Sequence, residues 1–362
     1  IVIPILPFYV ASFGASPFTI TLLFSVFALF AFLSGPFLGA WSDRIGRRPV
    51  LLLSIASTAV GWFVFAAAHS IPLLFLGRII DGAAAGNFTV AQSCLVDIAR
   101  DEKERASNLG LVGAAFGVGF LVGPLLGGLL SSVSVAFPFW CAGILATANA
   151  AAAYLFLPET HSKRDPLAAL TFNPLRPLAR AARDVQLRPL FLRWGTFGFA
   201  FAGSQSVFAL FAERSFGFTS VTTGLLFTLT GVFTALNQTV LLKRFWLKHF
   251  TEQQLVSTQS LPLFYLAIPL LAISQSILRV AITSQVVGGA DPRRKGEILG
   301  ITASLLAASM VVAPIVAGFL FEIHETLPYI LSAILSAGAV ANAVGVIGPF
   351  APAPPSGSGP SI

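Results

Sequence analysis

Between residues 18 and 69 the sequence runs through two apolar stretches, 18–41 and 49–69. Its only Asp, Glu, Lys or Arg residues there fall in the turn Gly39-Ala40-Trp41-Ser42-Asp43-Arg44-Ile45-Gly46-Arg47-Arg48. Each stretch is long enough to cross a bilayer, which takes about 20 residues of helix. A helix meets its own backbone hydrogen bonds, so it can cross lipid alone. The four charges cannot stay in hydrocarbon, so the chain must turn at the water interface between two spans.

The rest of the chain obeys the same constraint. Hydrophobic residues make up 56% of it, charged residues only 10%, and the mean hydropathy is +0.84. Soluble domains carry about 25% charge, so a chain this apolar reads as an all-α polytopic membrane protein. Long period-2 alternation is absent from the sequence, which excludes a membrane β-barrel. The net charge of +7 does not call for a nucleic-acid partner, because its distribution is that of loops on one side of a membrane. Clusters at 44–48, 100–105, 163–193, 243–248 and 293–295 hold 19 of the 22 Lys and Arg. The intervening turns, such as 13–18 and 68–72, hold almost none. Basic loops stay cytoplasmic.

Apolar helices are expected at about 1–13, 18–41, 49–69, 72–98, 108–130, 135–157, 190–212, 220–243, 261–289, 298–321 and 326–348. That is eleven segments, the first too short to span. Residues 161–189 read as a basic cytoplasmic linker between a first half, 1–160, and a second half, 190–348. Residues 349–362 form a Pro/Gly/Ser tail with no means of packing. The halves look related at a constant offset of 190: Asp101, Leu109 and Gly110 match Asp291, Leu299 and Gly300, and Val122, Pro124, Gly128 and Leu130 match Val312, Pro314, Gly318 and Leu320. Two basic loops, 243–248 and 293–295, are joined by one helix, although both should be cytoplasmic. A twelfth helix is therefore expected near 258–261 in the complete protein. The start Ile-Val-Ile-Pro lies inside an apolar run, so residues are expected before Ile1 as well.

Three motifs stand out. In the first, Gly39 permits a close helix approach and Gly46 a tight turn. Asp43, Arg44, Arg47 and Arg48 carry the charge, and Arg47 is expected to pair with Asp97 at the cytoplasmic end of the helix expected at 72–98. Asp43 is expected near the N-terminus of the helix that begins at Gly296–Leu299. Topogenic anchors alone would need neither the glycine spacing nor the Asp. In the second motif, Gly77-Arg78-Ile79-Ile80-Asp81-Gly82, an arginine lies inside a span with an acid three residues on, on the same face. It reads equally as a functional intramembrane charge and as a structural ion pair lining a wet cavity. In the third, Gly119, Gly123 and Gly127 recur every four residues, with Pro124 and Gly128 between and after them. Gln92, Gln205, Asn237, Gln238 and Arg279 are candidates to face a substrate cavity, or else to bond a neighbouring helix.

The first motif resembles the helix 2–3 loop of the major facilitator superfamily, Gly-x-x-x-Asp-Arg-x-Gly-Arg-Arg, with every specified position filled. The second resembles that family's helix 4 motif, and the third its antiporter signature. With the Ile-Val-Ile-Pro start and Pro158-Glu159-Thr160, the chain is similar to the tetracycline-exporter-like drug/proton antiporters. The resemblance implies two six-helix bundles around a central cavity. It also implies a cytoplasmic gate at the first motif, proton coupling at Arg78 and Asp81, and a monomer in a bacterial inner membrane. Protons would be the coupling partner and a small organic molecule the substrate, with no cofactor beyond the proton gradient and no metal. Two rivals remain open: a metabolite symporter or facilitator on the same fold, and a non-transporting receptor or scaffold. Neither an enzyme constellation nor a phosphate-binding Gly-rich loop with Lys-Ser/Thr is visible.

Overall fold

The computed structural model of the chain describes residues 2–161, 175–184, 187–236 and 295–345. Among them every regular element is a helix. In chain order these are α1 (Leu6–Ala11), α2 (Pro17–Ile45), α3 (Arg47–Ala66), α4 (Ile71–Ala84), α5 (Asn87–Asp97), α6 (Glu102–Ser131), α7 (Phe137–Phe156) and α8 (Arg176–Arg183). They are followed by α9 (Arg188–Phe216), α10 (Ser220–Leu236), α11 (Lys295–Ile323) and α12 (Leu327–Gly345). Among the described residues seven spans are long and apolar enough to cross a membrane: α2, α3, α4 with α5, α6, α7, α9 and α11 from Gly300 onward. Asn237, Gln238, Arg279, the 243–248 loop, the helix expected near 258–261, residues 162–174 of the linker and the tail 349–362 lie outside the described residues.

Local chemistry sets the helix ends. Pro17, Pro72, Pro138, Pro177 and Pro189 stand in first turns, where a missing N–H costs nothing. The α6 helix starts six residues before its apolar stretch because Asp101 accepts a hydrogen bond from the Glu104 amide at 2.7 Å. Gly46 turns between α2 and α3 at φ 111°, a backbone angle that a side chain would strain. The span expected at 72–98 is present but broken. Ala85 N–H bonds the Gly82 carbonyl three residues back, and the helix restarts at Asn87. Gly86, at the break, lets the chain pack closely on α2, since a Cβ there would meet Leu38 Cδ1 at 2.6 Å.

The spans alternate in direction, so all the turns gather at two ends. One end carries Asp43, Arg47, Asp97, Arg100, Glu159 and Arg188 and is called here the basic end. The far end carries the turns at 12–16, 67–70, 132–136, 217–219 and 324–326. One buried cluster at the far end draws on both sets of helices: Leu6, Tyr9, Ile20, Leu23, Phe65, Leu74 and Phe139 pack with Val207, Leu210, Ala317 and Phe321. The Tyr9 hydroxyl fastens it by donating to the Phe65 and Ala66 carbonyls at 3.2 and 3.1 Å, at the end of α3. At the basic end the buried clusters are separate. Leu38, Val50, Leu51, Ile55, Val90 and Cys94 belong to α2, α3 and α5. Ala181, Leu187, Phe191, Trp194, Phe197, Ile298 and Ile301 belong to α8, α9 and α11 and the turn before α9.

Candidate functional site

At the basic end, Arg47 begins α3 and is the hub of a charged cluster. Its Nη1 lies 2.6 Å from Asp43 Oδ1 and donates to Ser42 Oγ at 2.6 Å. Its Nε donates to Asp97 Oδ2 at 3.0 Å. The Arg47 side chain is only 10% exposed, so these bonds replace most of its water. The α3 N-terminus is closed from an unexpected direction. The Arg47 and Arg48 amides donate to the two oxygens of Glu159 at 2.9 and 3.3 Å. A carboxylate there satisfies orphan N–H groups and meets the positive end of the helix dipole. Arg48 reaches back to the Tyr154 carbonyl at 2.7 Å and lies over the Tyr154 ring. His161 Nδ1 stands 3.8 Å from Asp97. The segment that ends α7 therefore straps the turn between α2 and α3.

The expected Arg47–Asp97 pair is present, and Asp43 has a partner of its own. Asp43 pairs with Arg47 one turn along the chain, while the side chains at the start of α11 fall outside the described residues. The Arg47–Asp97 pair joins α3 to α5 within the N-terminal helices, and it is made while the buried clusters of the basic end are separate. Gly39 has the Thr89 methyl 4.0 Å from where a Cβ would stand, an ordinary contact rather than a close one.

In α4, Arg78 and Asp81 are 5% and 6% exposed. Arg78 Nη1 donates to Asp81 Oδ2 at 3.1 Å. The guanidinium centre is 4.1 Å from the Phe27 ring and 5.5 Å from the Trp62 ring, so π-faces from α2 and α3 supply part of the lost solvation. Gly61 and Gly77 let α3 and α4 touch beside the pair, since a Cβ on Gly77 would stand 2.9 Å from the Gly61 carbonyl. Gly61 was missed in the sequence because a single glycine in a span carries no periodic signal.

The third motif lies where α6 meets α10. Gly123, Pro124, Gly127 and Gly128 are buried. The close crossing is at Gly128 and Gly224, where a Cβ on Gly224 would come 2.7 Å from the Pro124 carbonyl and 2.9 Å from Gly128 Cα. Pro124 deprives the Phe120 carbonyl of its helical partner, and that oxygen faces Gly231 of α10. Ser131 Oγ donates to Ser220 at 2.8 Å. Gly119, expected in the packing groove, has open space where a Cβ would stand, because it lines a cavity instead.

That cavity, of about 590 Å³, lies between Ile3 and Pro4 before α1, α5, α6 and α10. Phe88, Leu95, Phe120 and Phe227 give it an apolar, aromatic wall. Gln92 is half-buried on the α5 face that Phe88 and Leu95 share by helical spacing. Gln205 is half-buried in α9, next to buried Ser206.

Multiple spans, charges held inside them and an apolar cavity between the two sets of helices define a multi-pass integral membrane protein built as a transporter. Comparison with known proteins gives the family. The family model described as Major Facilitator Superfamily matches residues 1–251, and the chain belongs to that family. The tetracycline resistance protein, class C, of Escherichia coli is 28% identical over 309 residues, covering 81% of this chain and 78% of that protein. The quinolone resistance protein NorA of Staphylococcus aureus is 26% identical over 361 residues, covering 94% and 90%. The crystal structure of the human organic anion transporter MFSD10 superposes with a TM-score of 0.65 at 26% identity, covering 90% of this chain and 82% of that one.

Proposed function

We propose that the protein is a secondary active transporter that exports small amphipathic organic molecules in exchange for protons, by alternating access. The observation that carries the reading is the Arg78–Asp81 pair buried in α4, a costly placement that a static scaffold has no use for. The similarity to tetracycline and quinolone resistance proteins supports drug-like cargo. The apolar cavity walled by Phe88, Phe120 and Phe227 supports cargo with aromatic or aliphatic surface. A proton crossing inward at 100 mV supplies about 2.3 kcal/mol, enough to concentrate a neutral substrate roughly 50-fold.

In this reading Asp43, Arg44, Arg47, Arg48 and Asp97 organise the cytoplasmic end, with Gly39 and Gly46 permitting the turn. Gly123, Pro124, Gly127 and Gly128 form the hinge face of α6, and Gly119, Gln92 and Gln205 face the substrate path. The protein works as a monomer in a bacterial inner membrane. The far end is the outer face, and the described residues correspond to a state closed there.

The similarity to an organic anion transporter supports a second reading, in which the cargo is anionic. Reconstituted protein in proteoliposomes with an internal pH dye tests both. Proton release driven by cationic or neutral amphiphiles supports drug antiport, and release driven only by organic anions supports the second reading. Substrate-driven flux without proton movement overturns the coupling.

A further inference from the structure

The linker contains a structure that topology alone does not require. In α8, Arg176, Arg180 and Arg183 stand at i, i+4 and i+7, within about 60° of helical arc, and all three are exposed. Pro177, Leu178 and Ala181 occupy the opposite side. Ala181 is 4% exposed, packed in the cluster formed by Leu187, Phe191, Trp194, Ile298 and Ile301 at the ends of α9 and α11. Asp184 fixes the corner between the helices. Its carboxylate accepts from the Leu187 amide at 3.1 Å and its carbonyl from the Arg188 amide at 2.8 Å. Exposed Arg188 begins α9 just beyond that corner. The basic face is therefore held at the ends of two membrane helices, turned away from the protein.

We propose that this face, Arg176, Arg180, Arg183 and Arg188, is a binding site for the headgroups of anionic phospholipids. Three arguments support it. A positive-inside signal needs only a count of charges, which a disordered loop provides as well; a one-sided row on a docked helix is additional order. The row lies beside the starts of α9 and α11, the basic-end limits of two apolar spans. Its chemistry is also suited to the ligand, since guanidinium groups take phosphate oxygens in a bidentate fork that an ammonium cannot copy. Exposed Leu175, beside the row, adds apolar surface for the acyl boundary.

The test uses the full chain in mild detergent, with native mass spectrometry counting retained lipid as phosphatidylglycerol or phosphatidylcholine is added. The wild type should retain phosphatidylglycerol preferentially. R176Q/R180Q/R183Q should lose that preference roughly tenfold or more, at roughly fivefold per basic residue before losses to screening. R100Q/K103Q/R105Q removes three positive charges from another loop at the same end and should leave the preference intact. R176K/R180K/R183K keeps the charge and guards against misfolding; it should retain part of the preference. Equal loss in both glutamine triples would reduce the effect to general charge and overturn the site. So would an unchanged preference in the first triple. Displacement of the lipid by equimolar inorganic phosphate would also overturn it, assigning the row to a soluble anion.

Discussion

The far end is held partly by one hydrogen bond between the two sets of helices, and removing it should change which side of the protein is open. The Phe18 amide, in the first turn of α2, donates to Glu322 Oε1 of α11 at 3.1 Å. Ser16 already accepts from the Thr19 amide, so Glu322 satisfies a neighbouring orphan and adds a negative charge at the positive end of α2. One turn inward, Gly318 lies against Thr21 and Phe18, where a Cβ would clash. The bond must break whenever α2 and α11 separate at this end. A hydrogen bond to a charged group contributes about 1.5–3 kcal/mol when shielded. Glu322 is exposed, which lowers this to about 0.5–1.5 kcal/mol. Glu322→Ala should therefore shift the balance of states roughly two- to twelvefold towards opening at the far end.

The assay is the reaction rate of a membrane-impermeant thiol reagent added at the far face. The reporter is Ser131→Cys, which is buried against Ser220 in α10 and lies outside the mutated contact. Cys94 and Cys141 are first replaced by alanine. Labelling should accelerate in Glu322→Ala by the factor above, and Glu322→Gln, which keeps an acceptor oxygen, should fall between it and wild type. Unchanged labelling in both variants would refute the reasoning, leaving Glu322 a surface cap with no part in the conformational balance.

The Arg47 cluster predicts unequal costs. Arg47→Ala strands both Asp43 and Asp97 and should destabilise by about 2–4 kcal/mol, whereas Asp97→Ala leaves Arg47 its bonds to Asp43 and Ser42 and should cost about half that, measured as thermal shifts in detergent. Glu159→Ala should cost about 1 kcal/mol through the lost cap on α3, with Glu159→Gln recovering part of it in the same assay. For the buried pair, Arg78→Ala should abolish proton-coupled transport in proteoliposomes. Arg78→Lys should not restore it, because a compact, strongly hydrated ammonium cannot replace the broad, delocalised guanidinium held over Phe27 and against Asp81. At the α6–α10 crossing, Gly224→Ala should cost about 1–3 kcal/mol or loosen the far end in the thiol assay, while Gly119→Ala, with open space around it, should leave stability unchanged.

What the sequence revealed of this protein follows from which interactions are local. The spans at 18–41 and 49–69 were legible because a bilayer-length apolar run has few other outcomes. The Arg78–Asp81 pair was legible because i and i+3 share a helical face whatever surrounds them. The early start of α6 at Glu102 has a local signal too, Asp101 three residues before Glu104 as a capping pattern, but the apolar periodicity begins only six residues later. The strap of Glu159 on α3 was hidden for another reason: its partners are 112 and 111 residues away. A carboxylate after a helix looks solvated until the fold brings an uncapped N-terminus to it. The glycines of α6 show the same limit from the other side. A four-residue spacing reveals that a smooth face exists, but Gly224 and Gly231 of α10 decide where it is used. The used portion runs from Phe120 to Gly128, and Gly119 is left for the cavity. The two uses call for different things. A close crossing needs bare backbone on both helices, and a cavity wall needs only the absence of bulk. A glycine repeat can therefore continue from a helix crossing into a cavity wall without any change in the sequence pattern that announces it.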